Sequence, residues 1–214
     1  PFLAPVLMKI GAPTPAGWIY RAYSVVCHEL AFRSWFLFGD QATYPREAAA
    51  VEGLIPYDDA TGLGDTDLWA AREYIGNEQV GYKVALCERD VAIYGGILLF
   101  GLVFAASRRR LKPIHWIFWI GLGIVPIGLD GLSQLASQPP LNLIPYREST
   151  PLWRSVTGFL FGWMTAWFGY PYVEETMCEN RRVLELKFQA MLNYSTQKRK
   201  DDPQNLAISM ERDT

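Results

Sequence analysis

The sequence predicts an all-α, multi-pass transmembrane helical protein with an amphipathic helix on its outer surface and a cytoplasmic C-terminal helix. Three observations carry that prediction. Half of the 214 residues are apolar and 14% are aromatic, a membrane-leaning composition. Two very apolar runs, VAIYGGILLFGLVFAAS at 91–107 and PIHWIFWIGLGIVPIGLDGLSQL at 113–135, are separated only by the basic string around RRRLK. A third run, PLWRSVTGFLFGWMTAWFGYPYV, follows at 151–173. A net charge of −2 offers no basic face to neutralise phosphates, so nucleic acid is excluded as a partner.

Residues 1–16 begin with a proline, and PFLAPVLM reads as the outer end of an upstream helix or the remnant of a signal segment. Residues 17–39 form the outer interfacial helix. Trp18, Tyr20, Tyr23, Trp35, Phe36 and Phe38 suit an aromatic belt, whereas Arg21, His28, Glu29 and Arg33 would be costly at the bilayer centre. Residues 40–86 are an acidic extracytoplasmic loop, with nine acidic against three basic residues from Asp40 to Leu86. They contain one short helix, DTDLWAAREYIG, capped by Asp65 or Thr66.

Residues 87–173 are the three-helix transmembrane core. A helix rises about 1.5 Å per residue, so each run is near the length that crosses a hydrocarbon core. The short basic connection makes the first two spans antiparallel neighbours with their turn in the cytoplasm. The third opens with Pro151 at the first helical position and Thr150 as cap, and carries Gly158 and Gly162 four apart as a helix-packing face. Residues 174–214 then form a cytoplasmic helix, with Val173, Met177, Leu184, Phe188, Met191 and Leu192 at roughly helical spacing, and a polar, disordered tail from Lys198.

This topology gathers distant residues at one outer level: Cys27, His28 and Arg33; Cys87, Arg89 and Asp90; Asp130 and Gln134; Arg147, Glu148 and Arg154. Asp130 in apolar surroundings needs a partner, with Arg89, Arg154 and Arg33 available, and Arg154 is the one predicted.

The strings CHELAFRSWFLFG, CERDVAIYGG, LDGLSQL and RESTPLWRSVTGFLFG resemble a bacterial family of small multi-pass membrane proteins known as domain of unknown function 2085. The likeness spans residues 25–39 and 84–165. The resemblance implies a membrane protein of the bacterial inner membrane and supplies no activity. The family pattern has Cys-His and a later Cys-x-x-Cys; here Asp90 replaces the second cysteine of the later pair.

Cys27, His28, Cys87 and Asp90 are donor types that zinc accepts. Adjacent residues such as Cys27 and His28 point apart, so three ligands plus water fit better than four. The competing readings are a Cys27–Cys87 disulfide, which is the one favoured on an oxidising outer face, and packed free thiols. Closing that loop of some sixty residues would stabilise by roughly 4 kcal/mol. His28 would then hydrogen-bond Asp90 or Glu29. His115, without a second histidine on another span, disfavours haem. No cofactor is expected, with zinc the alternative. The favoured functional expectation is a non-enzymatic accessory subunit or assembly factor contacting the bilayer and other membrane protein subunits. The alternative is a metal- or thiol-dependent membrane enzyme using the outer Cys/His/Asp cluster.

Overall fold

A computed structural model of the chain describes residues 1–64 and 66–200. Its order is α1 (Leu3–Lys9), α2 (Pro13–Tyr23), β1 (Ser34–Leu37), α3 (Tyr57–Thr61), α4 (Leu68–Glu73), β2 (Gly76–Asn77), β3 (Gly81–Cys87), α5 (Glu88–Ala106), α6 (Trp116–Ser137) and α7 (Pro151–Lys200). The chain is mostly helical, but the all-α expectation is corrected by a small antiparallel sheet of order β1-β3-β2.

That sheet organises a head made from the first 87 residues. β2 and β3 form a hairpin whose turn is held by Asn77, its side-chain oxygen accepting from the backbone N–H groups of Gln79 and Val80 at 2.9 and 2.8 Å. Gly81 closes the turn at φ +83°, where a Cβ would stand 2.5 Å from the Leu37 carbonyl oxygen, so backbone approach as well as dihedral demands glycine. β1 then pairs with β3, Ser34 opposite Cys87 and Phe36 opposite Lys83.

The predicted interfacial helix over 17–39 therefore ends at Tyr23, and residues 34–37 are a strand. Phe36 is buried in the head with Phe32, Tyr44 and Tyr57, not at a lipid boundary. Edge-to-face contacts, Phe32–Tyr57 at 5.7 Å and Phe36–Tyr44 at 5.2 Å, fix that core. The acidic segment 40–86 is likewise structured. Its helix α4 is capped by Asp67, which accepts from Trp69 and Ala70 N–H at 3.0 Å each. Thr66 is not the cap, and Asp65 lies outside the described residues. The 1–16 segment forms α1 and the start of α2; Ala4 and Ala16 pack with Tyr20 and Ala85 against β3.

β3 runs directly into α5, with Cys87 as the helix cap. α5 and α6 are the two described helices long and apolar enough to cross a membrane. α6 carries π-helical turns over Trp119–Ile124 before Val125–Ser137. Thr150 caps α7 as the sequence predicts, accepting from Trp153 N–H at 3.2 Å. The third apolar run and the tail are not separate helices, since α7 is continuous for 50 residues with Pro171 inside it. The tail beyond Lys200 lies outside the described residues.

The apolar half of α7 packs along α5 on one side and α6 on the other. A Cβ on Gly158 would approach the Arg89 carbonyl oxygen to 2.7 Å, one on Gly96 would approach that of Phe159 to 2.6 Å, and one on Gly162 would overlap the Ile93 carbonyl. The absence of side chains at these three points lets the backbones close, as the predicted small-residue face requires. Below them Phe100 meets Trp163 at 5.4 Å and Trp167 at 5.8 Å. On the opposite side Trp119 stacks on Phe168 at 5.1 Å and donates to Thr165 Oγ1 at 3.2 Å.

Candidate functional site

The junction between head and helices holds the polar chemistry. The β3-to-α5 connection delivers Cys87, Glu88, Arg89 and Asp90; the last turns of α6 deliver Asp130 and Gln134; the segment before α7 and its first turn deliver Arg147, Glu148 and Arg154. The loop after α2 brings Cys27, His28, Glu29 and Arg33 over them. These residues surround a cavity of about 380 Å³ lined by Cys27, His28, Arg33, Cys87, Arg89, Asp90, Gln134 and Arg154, with Val26, Glu29 and Leu30.

One wall is a donor cluster. The sulfurs of Cys27 and Cys87 and a carboxylate oxygen of Asp90 all lie within 4.8 Å of one another. The i, i+3 spacing of Cys87 and Asp90 puts both on one face of the first turn of α5, and Asp90 N–H also contacts Cys87 Sγ at 3.5 Å. All three cysteines are free, so the predicted Cys27–Cys87 cross-link is not formed although its partners are adjacent. The Cys27 thiol is pushed down, chiefly by a hydrogen bond from Cys87, and the Cys87 thiol is pushed up by the same bond and by burial. Of the two thiols, Cys27 is therefore the one that ionises first, with Cys87 keeping its proton. His28 lines the cavity but is exposed and does not join the cluster.

Two ion-pair centres lie behind the remaining wall and reach it through Arg33, Arg89, Gln134 and Arg154. Glu148 is the larger. Arg33 grips it with Nε to Oε1 at 3.0 Å and Nη2 to Oε2 at 3.1 Å; Arg154 pairs with it closely; Arg46 stands at 3.6 Å. Arg46 also rests on the head, its guanidinium 3.8 Å above the Phe32 ring, and donates to Tyr146 before α7 at 2.7 Å. Arg154 additionally faces Glu88 at 3.8 Å, and Glu88 accepts from Thr43 at 2.5 Å.

The second centre is Asp130, whose predicted pairing with Arg154 is corrected. Its direct partner is Arg89, with Arg147 at 3.7 Å. Arg154 reaches it only through Gln134, donating to the Gln134 oxygen at 3.3 Å while Gln134 Nε2 donates to Asp130 at 3.2 Å. Glu148, six residues before Arg154, captures that arginine because both belong to the same entry into α7. Arg89 is free to take Asp130 because Gly158 and Gly131 leave room beside its side chain.

Sequence reasoning missed Glu88, Arg46 and Thr43, all buried in this network. Glu88 had a visible signal, a carboxylate at the start of an apolar helix directly beside Cys87. Arg46 and Thr43 had none, since their roles depend on the head folding back over α5.

Behind the cavity wall, Lys83 is buried on β3. Its ammonium donates to the Glu29 carbonyl at 2.9 Å and to the Arg72 carbonyl. Burial lowers Lys83 to about 8 and raises Glu29 to about 7, each opposed by the charge of the other. Glu29, two residues after Cys27 in the same loop, holds φ +49°.

Comparison with known proteins points to the same stretch. Residues 79–168 match a family model described as "Predicted membrane protein (DUF2085)", covering β3, α5, α6 and the first turns of α7. The chain is also similar to an uncharacterized protein of Methanocaldococcus jannaschii, 26% identical over 180 residues that cover 79% of this chain and 81% of that one. That relative is archaeal, so the likeness is not confined to bacteria. No solved structure matches the chain.

Proposed function

We propose that this is an integral membrane protein whose working part is a zinc-type metal site at the junction of head and spans. The convergence of Cys27, Cys87 and Asp90 within 4.8 Å on a cavity wall carries this reading. Zinc holds thiolates at about 2.3 Å and carboxylate oxygens at about 2.0–2.2 Å, so three such donors need to approach only slightly to enclose it. Three protein ligands leave a fourth position facing the cavity, the arrangement of metal sites that act on a bound water or substrate. The hydrogen bond from Cys87 pushes Cys27 toward the thiolate that ligation requires. His28, at the rim, is placed to hydrogen-bond an incoming group or to supply the fourth ligand.

In this reading the apolar half of α7 is a third span, the head and cavity face the outside of the cytoplasmic membrane, and the far half of α7 is cytoplasmic. The basic turn at Arg108–Lys112 and the basic residues after Val173 support that orientation. A second reading, an accessory subunit of a membrane complex, is favoured by the exposed Met177, Leu184, Phe188 and Met191 on α7 beyond the spans.

Purification in mild detergent, followed by elemental analysis and identification of co-purifying chains, separates the two. The metal reading expects about one zinc per chain, lost in Cys87→Ser. A stoichiometric partner chain with no metal would overturn it in favour of the subunit.

A further inference from the structure

The two ion-pair centres do not balance. Arg33, Arg46, Arg89, Arg147 and Arg154 share three carboxylates, Glu88, Asp130 and Glu148, so five positive charges face three negative ones. The surplus sits on side chains that reach solvent, Arg33, Arg89 and Arg147 being 28%, 25% and 45% exposed, while the buried Arg154 is matched by Glu148 and Glu88. The buried Nε of Arg89 has no hydrogen-bond partner among the described residues. Three of the five arginines, Arg33, Arg89 and Arg154, line the same cavity.

Asp90, beside the two thiols, adds one carboxylate to that wall, which still leaves five arginines against four acidic groups, and Glu29 has Lys83 and Arg72 as its opposing charges. The cavity volume lies in the range of small-ligand sites, about 300–1,000 Å³. Guanidinium groups arranged around such a space fit a phosphate, whose oxygens accept paired N–H donors.

We propose that this cavity binds the phosphate headgroup of an anionic membrane lipid, held by Arg33, Arg89 and Arg154 beside the Cys27, Cys87 and Asp90 donors. A lipid is favoured over a soluble phosphate by position. The cavity sits where the apolar helices begin, and Leu135 and Leu152, next to Gln134 and two residues before Arg154, project outward at 59% and 73% exposure. Acyl chains would lie along them while the headgroup turns inward. The proposal rests on the same cavity as the metal reading and names the ligand class for it.

The test is calorimetric titration of the full chain in detergent with dioctanoyl phosphatidic acid, dioctanoyl phosphatidylcholine and inorganic phosphate, with zinc content measured on the same preparations. Saturable binding of phosphatidic acid, weakened about tenfold in Arg33→Gln by the loss of one charge-assisted contact, is expected. Arg33 is the variant of choice because Glu148 keeps Arg46 and Arg154; an unchanged elution profile checks the fold, and Arg33→Lys should recover part of the affinity. Equal binding of phosphatidylcholine, insensitive to Arg33→Gln, would reduce the lipid to a solvating shell and overturn the proposal. Inorganic phosphate binding as tightly as phosphatidic acid would overturn the lipid as source and leave a soluble phosphate. Phosphatidic acid binding without zinc would refute the metal reading alone, and zinc without phosphatidic acid binding would refute this proposal alone.

Discussion

The head and the helices are built inside out with respect to one another. In the head, Phe32, Tyr44 and Tyr57 are at most 2% exposed, while acidic residues cover the outside. In the helices the leucines face outward, Leu98, Leu129 and Leu132 being more than 60% exposed, and what lies between the helices is close glycine contact, one aromatic cluster around Phe100 and a buried ionic network. The difference is the one expected of a head in water and, as proposed, helices in hydrocarbon. Water drives the aromatic residues of the head inward; hydrocarbon gives leucine no reason to leave the surface, so close backbone packing and polar pairing hold the helices together.

The sharpest way to break that comparison is to truncate one side chain in each region. Phe32→Ala should cost about 3–5 kcal/mol, the range for deleting a buried aromatic ring, with the further loss of the Arg46 stacking contact. Leu98→Ala should change stability in detergent by less than about 0.5 kcal/mol, as at other exposed positions. Thermal unfolding of the two variants measures both; comparable losses would mean that α5 is buried against something in its working state.

A smaller effect distinguishes the packing within α7. Gly162→Ala drives a Cβ into the Ile93 carbonyl and should cost about 1–3 kcal/mol, the range for overpacking. Gly169→Ala meets nothing within 4 Å and should stabilise by up to about 1 kcal/mol through helix propensity. Opposite signs in the melting temperatures are the expected outcome, and equal signs would contradict the helix-to-helix contact.

The smallest effect concerns pH and belongs to the head alone. Glu29 is raised to about 7 from an ordinary value of 4.5, so the folded state holds its proton over a range where the unfolded chain has released it. Its contribution to stability is complete below about 4.5 and is lost as pH rises through about 7. Glu29→Gln should flatten the fall in melting temperature across that interval. Lys83, lowered to about 8 from 10.5, acts in the opposite sense at higher pH, where stability recovers as the unfolded chain keeps the proton longer. An unchanged slope below pH 7 in Glu29→Gln would assign the titration to another carboxylate.

The parts of the molecule legible in the sequence are those whose physics is local. The apolar runs at 91–107 and 113–135, the turn between them, the Thr150 cap and the Gly158/Gly162 face all follow from chain length, transfer energy and spacing within one segment. So did the gathering of Cys27, Cys87, Asp90, Asp130 and Arg154 at one level, because two antiparallel helices must place their ends together. Tertiary structure alone decided the rest. Residues 34–37 became a strand because β3 supplies their hydrogen-bond partners from some fifty residues away, and an aromatic row reads the same for a lipid interface as for a folded core. Asp130 took Arg89 instead of Arg154 because Glu148 had already claimed Arg154. Such competition among equally charged partners is settled by distances of an ångström or two, and periodicity and composition carry no record of them.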